Sequence, residues 1–207
     1  MIVASDHEPV PPTPDREQGR PHRVLLQDGW QVQFADREVS VAVDLPHVLE
    51  SEADRAAYSG SATYRTTVDL GDLGPTARIH LDLGDVGIAA AGSAEAEGLL
   101  GHSFRAGIEP PVGVIAEVRV NDVDCGTAWS PPYVVEVSRA ALSGTNRVEI
   151  TVANTAANAV AHDPHLPTRV ADSERRYGRR FRMQELYRAM DGIRSGLLAT
   201  PALVITH

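Results

Sequence analysis

The sequence contains one cysteine, Cys125, among its 207 residues. An intrachain disulfide is therefore excluded, and the fold must be held together by other interactions. At this length a single domain with a short tail can bury a substantial core without disulfides or metals. No specific histidine partner is predicted for Cys125, so the sequence does not indicate a cysteine nucleophile. It does not indicate a cellular compartment either.

Basic residues are in the minority. Nineteen arginines, with no lysine, stand against 28 aspartates and glutamates, and the net charge is -9. An acidic chain repels phosphate backbones and anionic lipid, which argues against nucleic acids and membranes as partners. No apolar run reaches the roughly 18 residues that a membrane-spanning helix needs. A neutral ligand such as a sugar is not repelled by this charge.

Signatures of nucleotide binding and of parallel sheets are also missing. The glycines form neither a GxGxxG after a strand nor a P-loop. The β-α-β alternation of a parallel sheet is absent, and so is any internal repeat. What remains is a series of short strand patterns separated by turn residues, with few helices. This arrangement predicts an all-β fold, an antiparallel β-sandwich with one or two short helices.

The strand prediction depends on period-2 alternation of apolar residues. Trp30, Val32 and Phe34 fall on one face of a strand. Asn121-Asp122 is a turn pair, and Gly126 permits a positive φ or a bulge. A helical turn capped by Ser138 is predicted at 138–144, and a helix at 181–193. Pro201 is expected at a sheet edge or a bulge. Strands are predicted at 24–34, 38–43, 61–70, 77–86, 113–120, 133–138, 146–154 and 197–206.

The chain divides into a tail and one domain. Residues 1–23 contain five prolines and little apolar material, which predicts a disordered proline-rich tail. Residues 24–207 are assigned to the β-sandwich. Within it, residues 87–112 are predicted to be an excursion that holds an extra strand or hairpin, and residues 155–178 to be irregular and polar.

Four segments together resemble a known family. YSGSATYRTTVDL (58–70), IHLDLGDVG (79–87) and the central 115–154 are similar to the sugar-binding β-sandwich of family 2 glycoside hydrolases and of large bacterial α-L-rhamnosidases. SGLLATPALVI (195–205) resembles the closing strand of the rhamnosidase version. Residues 87–112 depart from that pattern as an insertion, and NTAANAVAHD (154–163) is alanine-rich where a bulkier, tryptophan-containing stretch is expected.

The resemblance implies a galactose-binding-like jelly roll that lies beside a catalytic barrel. The implied partners are a carbohydrate or the catalytic domain of a glycoside hydrolase. In the resembled enzymes the catalytic acids lie on a separate (β/α)8 barrel, which needs roughly 250 residues of its own, so no catalytic residue is predicted here. No cofactor or metal is predicted. Calcium is common in related sandwiches, but no loop here has a recognisable ligand spacing.

Sugar binding by such a domain uses aromatic faces against C–H surfaces and polar side chains on hydroxyls. Trp129 and Tyr133 flank the Pro131-Pro132 turn and lie near Asp124 in sequence. These three residues and Asn154 are the candidate ligand contacts. For Trp129, core packing and packing on a partner domain remain alternatives, because large aromatic side chains are mostly buried.

Two polar clusters are weaker candidates. His162 and His165 have a His-x-x-His spacing, but Pro164 prevents the regular helix that would align them on a metal. An arginine-rich segment could dock an acidic partner or form a solvated surface. Its members are Arg175, Arg176, Arg179, Arg180 and Arg182.

The sequence thus predicts a non-catalytic carbohydrate-binding accessory module of an α-L-rhamnosidase-like glycoside hydrolase, either as a fragment of a longer chain or as a separate copy. Two alternatives stay open. One is a protein–protein interaction sandwich without sugar binding. The other is a small glycoside hydrolase with its own pair of carboxylates, whose spacing sequence cannot establish.

Overall fold

A computed structural model describes residues 21–88, 108–178 and 194–207. These residues form fourteen strands, two α-helices and one 3-10 turn at Leu49–Ser51. The strands are β1 (His22–Leu25), β2 (Gln31–Phe34), β3 (Val41–Ala42), β4 (His47–Val48), β5 (Ser61–Asp69), β6 (Arg78–Asp82), β7 (Gly87–Ile88), β8 (Ile108–Glu109), β9 (Ile115–Val120), β10 (Val123–Ala128), β11 (Val134–Glu136), β12 (Thr145–Ala153), β13 (Gly196–Leu197) and β14 (Ala202–Thr206), and the helices are α1 (Ala157–Ala161) and α2 (Leu166–Tyr177).

Two antiparallel sheets enclose the core. The larger has six strands in the order β10-β9-β12-β5-β2-β3, and the smaller has four in the order β1-β14-β6-β11. Two short ribbons, β13-β4 and β7-β8, accompany them. The prediction of an all-β antiparallel sandwich is confirmed.

Alternation along the strands explains which side chains are buried. Trp30, Val32 and Phe34 are at most 3% exposed, as predicted for one face of a strand. Leu81 of the smaller sheet and Val118 of the larger are fully buried within the same apolar cluster. Because successive side chains of a strand point to opposite faces, each long strand also has an outward set of residues.

Turn residues act as the sequence predicts. Asn121 and Asp122 have φ values of 50° and 66°, which Asn and Asp tolerate better than most residues. The register shifts between Asp124 and Gly126, and Gly126 has a φ of 123°, as expected for a bulge. Asn146, 1% exposed, donates to the carbonyls of Leu142 and Gly144 and so holds the turn that precedes β12.

Residues 155–178 were expected to be irregular, and this was wrong, because both α1 and α2 lie there. No residue of α2 is buried. Its half-buried positions share one face, but only Leu166 and Val170 among them are apolar, so the periodic signal is short. Pro167 in its first turn, and Arg175 and Arg176 in its last, are the local features that favour it.

Other local predictions also need correction. The helical turn predicted at 138–144 is shorter than expected: residues 138–140 form a turn, after which Ala140 and Ala141 both donate to the carbonyl of Val137. Ser138 does not cap a helix, because its hydroxyl bonds with the backbone of Ile79. Pro201 lies at neither an edge nor a bulge, since it directly precedes β14, which is between β1 and β6.

Several expectations fall wholly or partly outside the described residues. Ile88 of β7 pairs with Ile108 of β8, which is the short hairpin expected in the 87–112 excursion, and the intervening residues are not described. The predicted helix at 181–193 is also not described. Of the expected tail, residues 21–23 are described, and His22 and Arg23 belong to β1.

The long connections meet at one end of the sandwich. Ala153 of β12 pairs with Ser61 of β5 and Ile115 of β9, and Ala116 pairs with Ala128 of β10. The residues that follow or precede these positions are therefore neighbours. We call this the long-loop end, marked by Gly60, Val114, Trp129 and Asn154.

Replacing Leu81 by alanine tests the core. We expect the free energy of unfolding to fall by about 2–5 kcal/mol, because Leu81 is fully buried and a cavity remains. The matched control is Leu142→Ala, at 60% exposure, for which we expect a change below about 0.5 kcal/mol. Both values can be obtained from denaturant unfolding, and equal losses in the two variants would contradict this packing.

Candidate functional site

The four candidate residues do not converge. Asp124 pairs with Arg119 near the start of β10, whereas Trp129 follows the last residue of that strand. The rise along a strand therefore separates them by roughly 15 Å. Asn154 follows β12 and lies at the long-loop end with Trp129, on the other side of β9. The structure thus brings Trp129 and Asn154 to one end and leaves Asp124 near the other.

The two aromatic candidates have different environments. Trp129 is 69% exposed, while Tyr133 is 7% exposed and belongs to the core cluster. The carbonyl of Tyr133 accepts a hydrogen bond from the amide of Leu83, at 2.9 Å, which ties this segment to the smaller sheet. Trp129 alone of the pair offers a ring face to solvent.

Asp124 has a local structural role. Its carboxylate accepts a hydrogen bond from the amide of Gly126, at 2.9 Å, across the bulge. Its backbone carbonyl accepts one from the guanidinium of Arg139. These contacts stabilise the start of β10, and the side chain remains exposed.

Asn154 is committed to contacts within the protein. Its Oδ1 accepts from the amide of Gly60 at 2.8 Å. Its Nδ2 donates to the carbonyl of Tyr58 at 2.8 Å and to Oγ of Ser195 at 3.0 Å. One amide side chain therefore joins the end of β12, the loop before β5 and the segment before β13.

A buried polar cluster that the sequence did not reveal reinforces this junction. The Glu50 carboxylate accepts hydrogen bonds from the amide and hydroxyl of Ser195 and from the side-chain amide of Asn158. Nearby, Nδ1 of His47 lies 2.8 Å from the Tyr64 hydroxyl. The Ser-Gly start of 195–205 was the available signal, but nothing local identifies partners 145 residues away.

Glycines at the same junction permit close packing. A Cβ on Gly113 would lie 2.3 Å from Cα of Ser195, and a Cβ on Gly196 would lie 2.4 Å from the carbonyl oxygen of His47. Gly196 also has a φ of 125°. Only glycine fits these two positions, so the Ser195-Gly196 part of the motif serves packing.

Val114 is strained. Its φ is 70°, a conformation that is a genuine outlier for a β-branched residue, and its side chain is 45% exposed. The preceding Gly113 is held against Ser195 by a hydrogen bond from its amide to the carbonyl of Gly196. Extending the β9-β10 register beyond Ala116 and Ala128 places Trp129 opposite Ile115, directly beside Val114. We call these three residues the Trp129 platform.

A cation lies against two aromatic rings elsewhere at this end. The Arg55 guanidinium is 4.4 Å from the centroid of Phe34 and 4.9 Å from that of Tyr58. It donates to the Asp36 carboxylate at 2.7 Å. This hydrogen bond holds the pKa of Asp36 below its usual value. The cluster fixes the chain where it leaves β2.

The remaining candidates show no reactive arrangement. No group of three or more His, Cys, Asp or Glu residues suited to a metal occurs within 21–88, 108–178 and 194–207. His162 lies after α1, its ring bonded to the carbonyl of Asn158. Burial raises the pKa of the Cys125 thiol, which disfavours the nucleophilic thiolate. Arg175 pairs with Asp172, Arg176 lies in the same last turn of α2, and the other three arginines of that segment are not described.

The helices of the described part do not include one long and apolar enough to cross a membrane.

The long-loop end combines one exposed indole, a strained valine and a rigid polar junction. It can offer an apolar contact surface with hydrogen-bonding groups nearby.

Comparisons with known proteins identify relatives of this chain and of its fold. No family model matches the chain. A curated protein of Formosa agariphila, provisionally named beta-glucuronidase, is 26% identical over 155 residues, which are 71% of this chain and 11% of the relative. The solved rhamnosidase of Novosphingobium sp. PP1Y is 26% identical, with a TM-score of 0.60, over 98% of this chain and 16% of its own.

A GH2 beta-galacturonidase from Eisenbergiella tayi superposes with a TM-score of 0.51 over 90% of this chain and 25% of its own; at 12% identity it shows a shared fold only. The chain spans about a tenth to a quarter of the length of these proteins. It is related to a domain-sized part of glycoside hydrolases, as the four sequence segments predicted.

Val114→Asn tests the strain at the platform. Asparagine tolerates a positive φ, so we expect the free energy of unfolding to rise by about 0.5–1 kcal/mol. Val123→Asn is the control, because Val123 is a similarly exposed valine in regular strand conformation. There we expect a loss of up to about 1 kcal/mol. A loss of equal size in both variants would show that Val114 is unstrained.

The Asp36–Arg55 pair predicts a pH effect. The pKa of Asp36 is lower in the folded chain than its ordinary value of 3.8, so its stabilisation is present above that pH and is lost as the pH falls through the folded value. We expect Asp36→Asn to lose less stability than the parent between pH 4 and pH 2, measured by thermal unfolding at each pH. Asp85→Asn, which removes another exposed carboxylate, is the control and should follow the parent.

Proposed function

We propose that this chain is a non-catalytic, carbohydrate-binding accessory domain of an α-L-rhamnosidase-like glycoside hydrolase. The observation that carries the proposal is the exposure of Trp129. The only other tryptophan, Trp30, is 1% exposed and donates its indole N–H to the carbonyl of Leu26. An exposed indole on a rigid strand end is the surface that stacks on the C–H face of a sugar ring.

The surroundings of Trp129 support a sugar as its partner. Val114 and Ile115 extend the apolar surface beside the ring. The strained backbone of Val114 agrees with a functional position, because strain persists where the surrounding structure over-determines it. The net charge of -9 favours a neutral ligand over an anionic one.

The non-catalytic part of the proposal rests on size. The related rhamnosidase is about six times longer than the part that this chain matches. A catalytic (β/α)8 barrel needs roughly 250 residues, more than this chain contains. We infer that the reaction is carried out by a catalytic domain, within the same polypeptide or as a separate partner, and that this domain positions that partner on its substrate.

One observation also favours a second function. The Trp129 platform is apolar, and such a surface can pack on a catalytic domain as well as on a sugar. In that case the chain is a structural module, and its partner is the catalytic domain rather than a glycan.

The test is glycan binding by the purified chain, measured by calorimetry with rhamnose- and galactose-containing oligosaccharides. We expect Trp129→Ala to weaken binding by about tenfold or more, because the stacking surface is lost. Leu142→Ala, which also truncates an exposed apolar side chain, should leave binding unchanged.

We also expect that the purified chain alone does not hydrolyse an aryl rhamnoside. Turnover by the chain alone, abolished by a carboxylate substitution, would overturn the non-catalytic role. Unaltered glycan affinity in Trp129→Ala would remove Trp129 from the site, and the absence of any glycan binding would favour the docking function.

A further inference from the structure

A straight row of polar side chains crosses the outer face of the six-stranded sheet. Thr127 pairs with Glu117, which pairs with Thr151, which pairs with Thr63, which pairs with Gln33. The next residue of each strand is buried, so these five side chains point outward. We call them the polar row: Thr127, Glu117, Thr151, Thr63 and Gln33.

Four of the five members of the row offer unused hydrogen-bonding groups. The fifth, Gln33, is held in place, because its side-chain amide donates to the carbonyls of Arg37 and Glu38 and accepts from Arg65. Glu117 and Thr127 are exposed, and neither side chain forms a hydrogen bond to another part of the chain that the structure describes. The hydroxyls of Thr63 and Thr151 lie 3.0 Å apart, and each retains a free acceptor position. Carboxylate and hydroxyl groups of this kind bind sugar hydroxyls.

A second row of side chains lies beside the polar row on the same outer face, where it holds the surface rigid and balances its charge. Arg65 donates to Oε1 of Gln33, at 2.8 Å, and to the carboxylate of Glu149, which fixes the end of the polar row. Arg119 pairs across the strands with Glu149. Across the two rows, two arginines stand against three carboxylates, those of Glu117, Glu149 and Asp124, which pairs with Arg119, so an anionic ligand gains no net attraction.

Trp129 lies at one end of this surface. It is two residues beyond Thr127, and alternation places it on the same face of the sheet. Neighbouring strands are about 4.8 Å apart, so the four intervals from β10 to β2 span about 19 Å. This is long enough for several pyranose rings, with the first ring on the indole and later rings over successive members of the row.

We propose that the polar row and Trp129 together form an extended binding face for a neutral linear oligosaccharide that lies across β10, β9, β12, β5 and β2. This proposal rests on the proposed carbohydrate-binding function and adds where and how the glycan lies. It predicts that affinity rises with the number of sugar units, which a site limited to Trp129 does not.

The experiment measures calorimetric affinities for β-1,4-linked galacto-oligosaccharides and α-linked rhamno-oligosaccharides of one to four units. We expect the tetramer of the better-bound series to bind at least tenfold more tightly than its monomer. The double variant Thr63→Val, Thr151→Val should weaken tetramer binding at least fivefold and leave monomer binding within twofold. Valine keeps the branched shape, so the strands are retained.

Matched controls separate the row from other effects. Thr145→Val alters an exposed outward threonine of β12 near the opposite end of the strand, and tetramer affinity should not change. A tetramer of galacturonic acid should bind more weakly than the galactose tetramer. Tighter binding of the acidic tetramer would contradict the charge argument and overturn the proposal.

The outcomes distinguish the two proposals. Binding that depends on Trp129 but not on chain length or on Thr63 and Thr151 would overturn the extended face and leave the carbohydrate-binding function standing. If no member of either series binds, both are overturned, and the face is then available for a protein partner.

Discussion

Burial of the inward side chains of two facing antiparallel sheets is the interaction on which the rest of this structure depends. The nine-residue ladder between β5 and β12, extended by β9, provides the rigid frame. Its inward residues, such as Tyr64, Val118 and Ile150, are fully buried. Because the side-chain period of a strand is two, the same register determines which residues face outward. A slip by one residue would bury the polar row and expose the core.

Polar contacts then determine the shape of the long-loop end. Asn154 and Glu50 connect segments that are far apart in the chain, and both meet at Ser195. Gly113 and Gly196 let these segments approach more closely than any other residue would allow. The rigid junction supports the strained Val114 beside Trp129. Rigidity of this kind lowers the entropic cost of binding, because the contact surface is already in place.

The resemblance to glycoside hydrolases is carried mainly by residues with folding roles. Asn146 holds a turn, Gly126 forms a bulge, and Ser195-Gly196 packs against Gly113. These motifs therefore predict the sandwich well and say little about its ligand. The function of such a domain depends on the side chains that its sheets and loops present to solvent. Here the outer surface presents an indole at the end of β10 and a row of hydroxyl, amide and carboxylate groups across the sheet.

The sequence by itself determined the all-β class, the faces of the main strands, and the turns at Asn121, Gly126 and Asn146, since these follow from local periodicity and backbone preference. Only the tertiary structure decided that Trp129 is exposed while Tyr133 is buried, and that Asp124 lies far from both Trp129 and Asn154. The exposure of a residue beyond a strand end depends on loops that are distant in sequence. Likewise, α2 buries no side chain and has only two apolar residues on its half-buried face, and the polar row exists only through pairing among five strands.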